Sequence, residues 1–195
     1  MPAISRDTLM TLEAYARNRN EFRAKVMDHK KTRKVHLGDN LTLIFEDELT
    51  LRYQIQEMLR IEKIFEESGI QSELDAYNPL VPDGSNWKAT MLVEYPDPEV
   101  RKGRLAVLKG IEDAVWVQVA GHAKVHAIAD EDLDRENDEK TSSVHFLRFE
   151  LTPAMKQSLA AGADLNMGVE HPEYTAVLAP VPAAIRQSLL GDLSL

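Results

Sequence analysis

The sequence contains no cysteine. That absence removes disulfide frameworks, zinc ribbons, iron–sulfur ligation and a cysteine nucleophile from this chain. No stretch approaches the roughly 20 apolar residues of a membrane span. The start, MPAISRDTLM, also lacks the charged-then-apolar pattern of a signal peptide, so a cytoplasmic, non-membrane protein is the expectation. Equally missing are Gly-x-Ser-x-Gly, phosphate loops of the Walker or Gly-x-Gly-x-x-Gly kind, and the Glu-x-x-His of di-iron bundles. There is no internal repeat, low-complexity tract or interdomain linker. No established catalytic motif is present, and whether the chain is an enzyme is left open.

What is present is ordinary globular composition: 195 residues, 44% hydrophobic and 28% charged. The length suits a single domain over 1–195, helix-rich to about residue 80 and sheet-rich from about residue 87. The net charge of −9 is unevenly spread, with residues 1–40 at +4 and the remainder at −13. The basic cluster from Arg17 to Lys34 has one aromatic, Phe22, and no Gly-rich loop. In an acidic protein that argues against nucleic acid and for a solvated helix face pairing with acids in this chain or a partner. A second run, 130–139, is acidic. Asp130, Asp132 and Asp134 have the spacing that opens a calcium loop, but Arg135 and Thr141 stand where that loop needs Gly and Glu. A solvated loop between two strands is expected there.

Periodicity outlines the elements. Ser5-Arg6-Asp7 can cap a helix running towards Met27. Lys34–Leu37 and Leu41–Phe45 flank a Gly38-Asp39-Asn40 turn. Asp47 or Thr50 caps a helix from Leu51 to Glu67 that stops at Gly69, and a short helix follows from Gln71 to Tyr77. Trp87–Tyr95 alternates as a strand, and Pro98 opens a helix ending near Gly110. Every odd position from Val115 to Ala129 is apolar or Gly. One strand of that length would span roughly 50 Å, so a hairpin turning near Gly121 is expected. Keeping one face apolar pairs Val119 with Val125 and Val117 with Ala127, through a three- or five-residue loop containing His122. Val144–Leu151 is a strand, Thr152-Pro153 starts a helix, 166–169 and 174–178 form a hairpin, and Pro182 opens a last helix ending at Gly191. The fold class is α+β: N-terminal helices, then a mainly antiparallel sheet with flanking helices.

On a helical wheel, Leu51, Ile55, Met58, Leu59, Ile61 and Phe65 form one apolar stripe. Glu62 falls inside it at about +20° and Gln54 at about −60°, with Glu57 on its border at about −120°. A carboxylate within such a stripe must be paired, hydrogen-bonded or metal-bound. Glu62 is therefore either a metal ligand or general base, or half of an ion pair fixing this helix to a neighbour. His145 shares the phase of Leu147 and Phe149 and faces the core, whereas His122 and His126 take the polar phase. A metal site would combine His145 with Glu62 or Glu94; a hydrogen-bonded core histidine is the favoured reading of His145. A catalytic grouping would join Glu57, Arg60 and Glu62 to Tyr77, Asn78 and His145.

Several segments together resemble a bacterial family, domain of unknown function 3501. They are Phe45-Glu46-Asp47, the run from Arg52 to Glu62 (Arg-Tyr-Gln-Ile-Gln-Glu-Met-Leu-Arg-Ile-Glu), Glu73 to Pro82, Ala89 to Glu94, and Ser143 to Phe149. The resemblance spans essentially the whole chain and brings no assigned activity. It implies a context, since genes of this family neighbour those of rubrerythrin-like proteins and an iron–sulfur oxidoreductase subunit. The implied role is an accessory protein that docks on a redox or peroxide-stress partner through the polar face of the Arg52–Glu62 helix and the charged patches. The alternative is a metal-binding enzyme with a Glu/Arg/Tyr/His site. A non-haem metal and a homo-oligomer are left open, and an iron–sulfur cluster in this chain is excluded by the missing cysteines.

Overall fold

A computed structural model describes residues 3–129 and 140–195, so the acidic run 130–139 lies outside the described residues. Helix α1 spans Leu12–Lys30. Its cap is Thr11, whose hydroxyl accepts the Ala14 N–H at 3.2 Å, and not Ser5 or Asp7. Ser5 instead begins a 3-10 turn over Arg6–Thr8, closed by the Thr8 hydroxyl donating to the Ser5 carbonyl at 2.8 Å. Strands β1 (Lys34–His36) and β2 (Leu41–Phe45) follow, then α2 (Glu48–Glu62). Asp47 and Thr50, each expected as a cap, act together. The Asp47 carboxylate accepts the Thr50 N–H at 2.9 Å, and the Thr50 hydroxyl accepts the Asp47 N–H at 3.0 Å.

The expected run of α2 to Glu67 is corrected. The helix stops at Lys63, which takes the left-handed conformation at φ 56° and ψ 40°. Gly69 is no stop signal but lies inside α3 (Glu67–Tyr77). A Cβ there would come within 2.6 Å of the Ile64 side chain, so Gly69 allows the two helices to turn tightly against each other. The chain continues through β3 (Asn86–Val93), α4 (Pro98–Val107), β4 (Val115–Val119), β5 (Val125–His126), β6 (Val144–Glu150), α5 (Pro153–Ala160), β7 (Leu165–His171), β8 (Tyr174–Leu178) and α6 (Ala183–Leu190). Asp97 and Thr152 cap α4 and α5 through the backbone N–H groups of Val100 and Met155. The class is α+β.

The strands form two antiparallel four-stranded sheets where one was expected, in the orders β1-β2-β3-β6 and β5-β4-β7-β8. Alternation explains how they join. Leu43, Phe45, Trp87, Ala89, Met91, Leu147 and Phe149 of the first sheet share one buried cluster with Val115, Val117, Val119, Leu165, Met167 and Val169 of the second. Two half-apolar sheets thus bury each other's apolar face. Paired backbone hydrogen bonds of 2.8 Å between Ile128 and Arg148 tie the chain after β5 to β6 of the first sheet. The β4–β5 hairpin keeps odd residues opposite odd ones, but its register is two residues from expectation: Val117 faces Val125, not Ala127.

On the other phase of β6, Phe146 packs against a second cluster built from Leu51, Ile55, Leu59, Ile70, Leu74 and Leu80. The α2–α3 pair therefore sits on the outer face of the first sheet. A third small cluster, Tyr15, Phe22 and Val26, seats α1 on α2. Among the described residues, no helix is long and apolar enough to cross a membrane.

Candidate functional site

The polar face of α2 is largely occupied by α1. Arg19 donates to both Glu57 oxygens at 2.7 and 2.9 Å, and the Tyr15 hydroxyl donates at 2.6 Å. Hydrogen bonding from Arg19 leads the forces that hold the Glu57 carboxyl down to about 2, well below its ordinary 4.5. Burial and the Glu57 hydrogen bond push the Tyr15 hydroxyl the other way, above its usual value. Arg60 reaches Glu57 only at 3.5 Å and is exposed. Arg52 pairs with Glu48 at 3.2 Å and lies over the Phe22 ring at 5.5 Å. The helix-fixing ion pair considered for Glu62 is thus made by Glu57. The buried glutamine of the stripe is likewise Gln56, which accepts the Met10 N–H at 2.6 Å, while Gln54 is half-buried.

Glu62 itself is exposed, which corrects its placement inside the apolar stripe. It ends the helix, and Ile61 before it and Phe65 beyond it remain 63% and 74% exposed. Glu62 does meet part of the expected grouping. Burial and then the Glu62 charge raise the Glu73 carboxyl, and burial followed by Glu73, Glu62 and Glu46 raises the Tyr77 hydroxyl. Asn78 is taken up structurally, accepting the Ile4 N–H at 2.8 Å and donating to the Ile4 carbonyl at 2.9 Å.

His145 is buried, as its phase implies. Its Nε2 lies 2.9 Å from the Thr141 hydroxyl, 3.1 Å from the Ser142 carbonyl and 3.9 Å from the Glu112 carboxylate. Glu94 is exposed just beyond β3, where it accepts the Thr42 hydroxyl at 2.6 Å. Among the described residues, no three His, Asp or Glu side chains assemble into a metal-binding group, so the structure does not bring Glu62, Glu94 and His145 together.

Two polar groupings escaped the periodicity argument. The first is buried where α1, β2, α2 and the C-terminal residues meet. Arg33, 1% exposed, donates to Asp192 at 2.5 and 3.2 Å and to the carbonyls of Phe45 and Glu46 at 2.8 and 3.1 Å. Asp47 lies 3.4 Å from Arg33 and 2.5 Å from the half-exposed His29 Nε2. Burial pushes the Asp47 carboxyl up, but the Arg33 charge, the Thr50 N–H and His29 outweigh it and the net direction is down. For Asp192, burial wins over Arg33 and the direction is up. Next to this group, buried Glu46 accepts the hydroxyls of Thr50 and Thr90 at 2.5 and 2.6 Å. The second grouping is His36–Thr42–Glu94, with His36 Nδ1 at 3.0 Å from the Thr42 hydroxyl, in the wall of a cleft of about 670 Å³. A clue to the first was the Glu46-Asp47 pair directly after an apolar strand. A clue to the second was the tight β1–β2 turn, which sets His36 opposite Thr42.

Comparison with known proteins fits this architecture. A crystal structure at 1.90 Å of a novel protein of unknown function from Burkholderia pseudomallei K96243 is 56% identical, with a TM-score of 0.94. The alignment covers 99% of this chain and 100% of that one. No curated protein matches the chain. The family model described as Protein of unknown function (DUF3501) matches residues 3–193, nearly the whole length, and the chain belongs to that family.

Proposed function

We propose that this protein is a cytoplasmic accessory protein that docks on a partner through the corner between α2 and α3. The observation that carries the reading is the exposure of Phe65, 74%, on the short link leaving α2, and of Ile61, 63%, in the last turn of that helix. Single exposed apolar residues are unremarkable, but here two large ones stand four positions apart and surface grooves border Phe65 on either side. One groove is lined by Lys63, Ile64, Phe65 and Glu66, the other by Met10, Leu59, Phe65 and Ile70. An exposed aromatic beside such grooves has the character of an interface anchor. Its rim is charged with both signs, exposed Glu62, Glu66 and Glu67 standing beside Lys63, with Glu67 paired to Arg6 at 3.0 Å. A partner bearing an apolar pocket with a rim of both charges complements it. The surface differs from the polar α2 face first expected, because α1 occupies that face. The family resemblance suggests the partner class: a rubrerythrin-like protein or an iron–sulfur oxidoreductase subunit of the same cell.

The test is titration calorimetry with each purified partner, against wild type and Phe65→Ser. Binding to one partner, weakened about tenfold or more by the substitution, is the expected result. No binding to either partner, or equal binding by the variant, contradicts the proposal.

A further inference from the structure

The cleft on the first sheet is independent of the α2–α3 corner. A row of residues in register on the outer face runs along it, His36 opposite Thr42, Thr42 opposite Leu92, Leu92 opposite Val144; Leu92 and Val144 form the apolar floor, His36 lines the wall and Thr42 is buried behind it. Glu94, Tyr95 and Arg101 add to its walls, Arg101 projecting from α4. A volume of about 670 Å³ lies within the range of small-molecule sites, and an apolar floor with a few polar groups is their usual makeup.

Hydrogen-bond logic fixes the state of the histidine. The Glu94 carboxylate can only accept, so the Thr42 hydroxyl spends its one proton on Oε2 at 2.6 Å. Thr42 Oγ1 is then an acceptor towards His36, 3.0 Å away, and Nδ1 must be the protonated ring nitrogen. In the neutral ring Nε2 therefore carries a bare lone pair. Among the described residues it has no hydrogen-bond partner, and His36 is exposed in the cleft wall. Glu94–Thr42–His36 is a relay that presents a hydrogen-bond acceptor of fixed tautomer, as carboxylates do for functional imidazoles elsewhere. Arg101 supplies a cation in the same cleft, its guanidinium also donating to the Tyr95 carbonyl at 3.3 Å. Asp39 and Glu94 in the lining disfavour a second anionic group on the ligand.

We propose that this cleft binds a small organic monoacid bearing a hydroxyl or N–H group. Its carboxylate meets Arg101, its apolar body lies on Leu92 and Val144, and its hydroxyl or N–H donates to Nε2 of His36. Thr42 and Glu94 act as positioning residues.

The experiment is NMR on the full chain with 4-hydroxyphenylacetate as probe. Phenylacetate, which lacks the hydroxyl, and 2-(4-hydroxyphenyl)ethanol, which lacks the carboxylate, serve as controls. Imidazole nitrogen spectra at neutral pH are expected to show the Nδ1–H tautomer for His36. The probe should shift His36 and the Leu92 and Val144 methyls saturably, with a Kd of the order of 1 mM, as expected for so small a ligand. Each control, and the Arg101→Gln variant, should bind about fivefold or more weakly. Thr42→Val keeps the side-chain shape and should release the tautomer preference while weakening the hydroxylated probe, not phenylacetate. An Nε2–H tautomer in the wild type, an absence of saturable shifts, or equal affinity for probe and controls would overturn the proposal.

Discussion

The molecule has two halves held together by different means. In the paired sheets, one apolar cluster joins six strands, and the side chains that face it follow strict alternation. In the helical layer, apolar contacts are divided between two small clusters, and polar ties do much of the locking. Glu57 clasps Arg19 and Tyr15, Gln56 clasps the Met10 backbone, Asn78 clasps that of Ile4, and Arg33 joins the layer to Asp192. Apolar burial is non-directional and tolerates repacking, whereas a hydrogen-bonded charge needs its partner in place. The layer built on directional ties is also the one that leaves Phe65 and Ile61 uncovered. We read the helical layer as the side presented to a partner, and the sheets as its support.

That contrast can be broken at several points. The largest effect is expected at the junction of the halves. Arg33→Ala leaves Asp192 and Asp47 buried without their cation and should cost about 4 kcal/mol in chemical denaturation. Leu43→Ala, inside the apolar cluster, should cost about 3 kcal/mol with no change in the pH dependence of stability. Glu57→Gln should cost less, about 1–2 kcal/mol, because its pair with Arg19 is partly solvated. It should also alter the acid limb. The folded-state pKa of Glu57 lies at about 2 against 4.5, so its stabilisation is complete above about pH 4.5 and lost as pH falls towards 2. Wild-type stability should therefore fall more steeply through that window than the variant's. Smallest of all, Glu62→Gln should leave stability within about 0.5 kcal/mol, since Glu62 is exposed and has no ion pair among the described residues. A large loss there would mean that Glu62, not Glu57, fixes the helix.

The same division governs what could be read before the structure. Strands and most helix starts followed from alternation and caps: β3, β6, α4 and α5 lie close to where Trp87, Val144, Pro98 and Thr152 place them. Parity gave the apolar face of the β4–β5 hairpin but could not separate two registers that differ by two, since both keep odd residues opposite odd ones. Nor does alternation say which strands pair, so one sheet was expected where two form. In α2 the wheel placed Leu51, Ile55 and Leu59 inside. It misplaced Glu62 because it cannot see where a helix ends. Lys63 makes the left-handed turn without a glycine to announce it. The polar ties were illegible for a plainer reason. Arg33 and Asp192, or Thr42 and Glu94, are far apart in sequence, and only tertiary pairing brings them together.

Amide hydrogen exchange on the full chain, with and without the purified rubrerythrin-like or iron–sulfur protein proposed above as its partner, tests the division of labour most directly. The account predicts added protection confined to 59–70, across the end of α2 and the start of α3, with β3, β4 and β7 unchanged. Protection centred on the sheets, with that corner exchanging as freely as before, would contradict it.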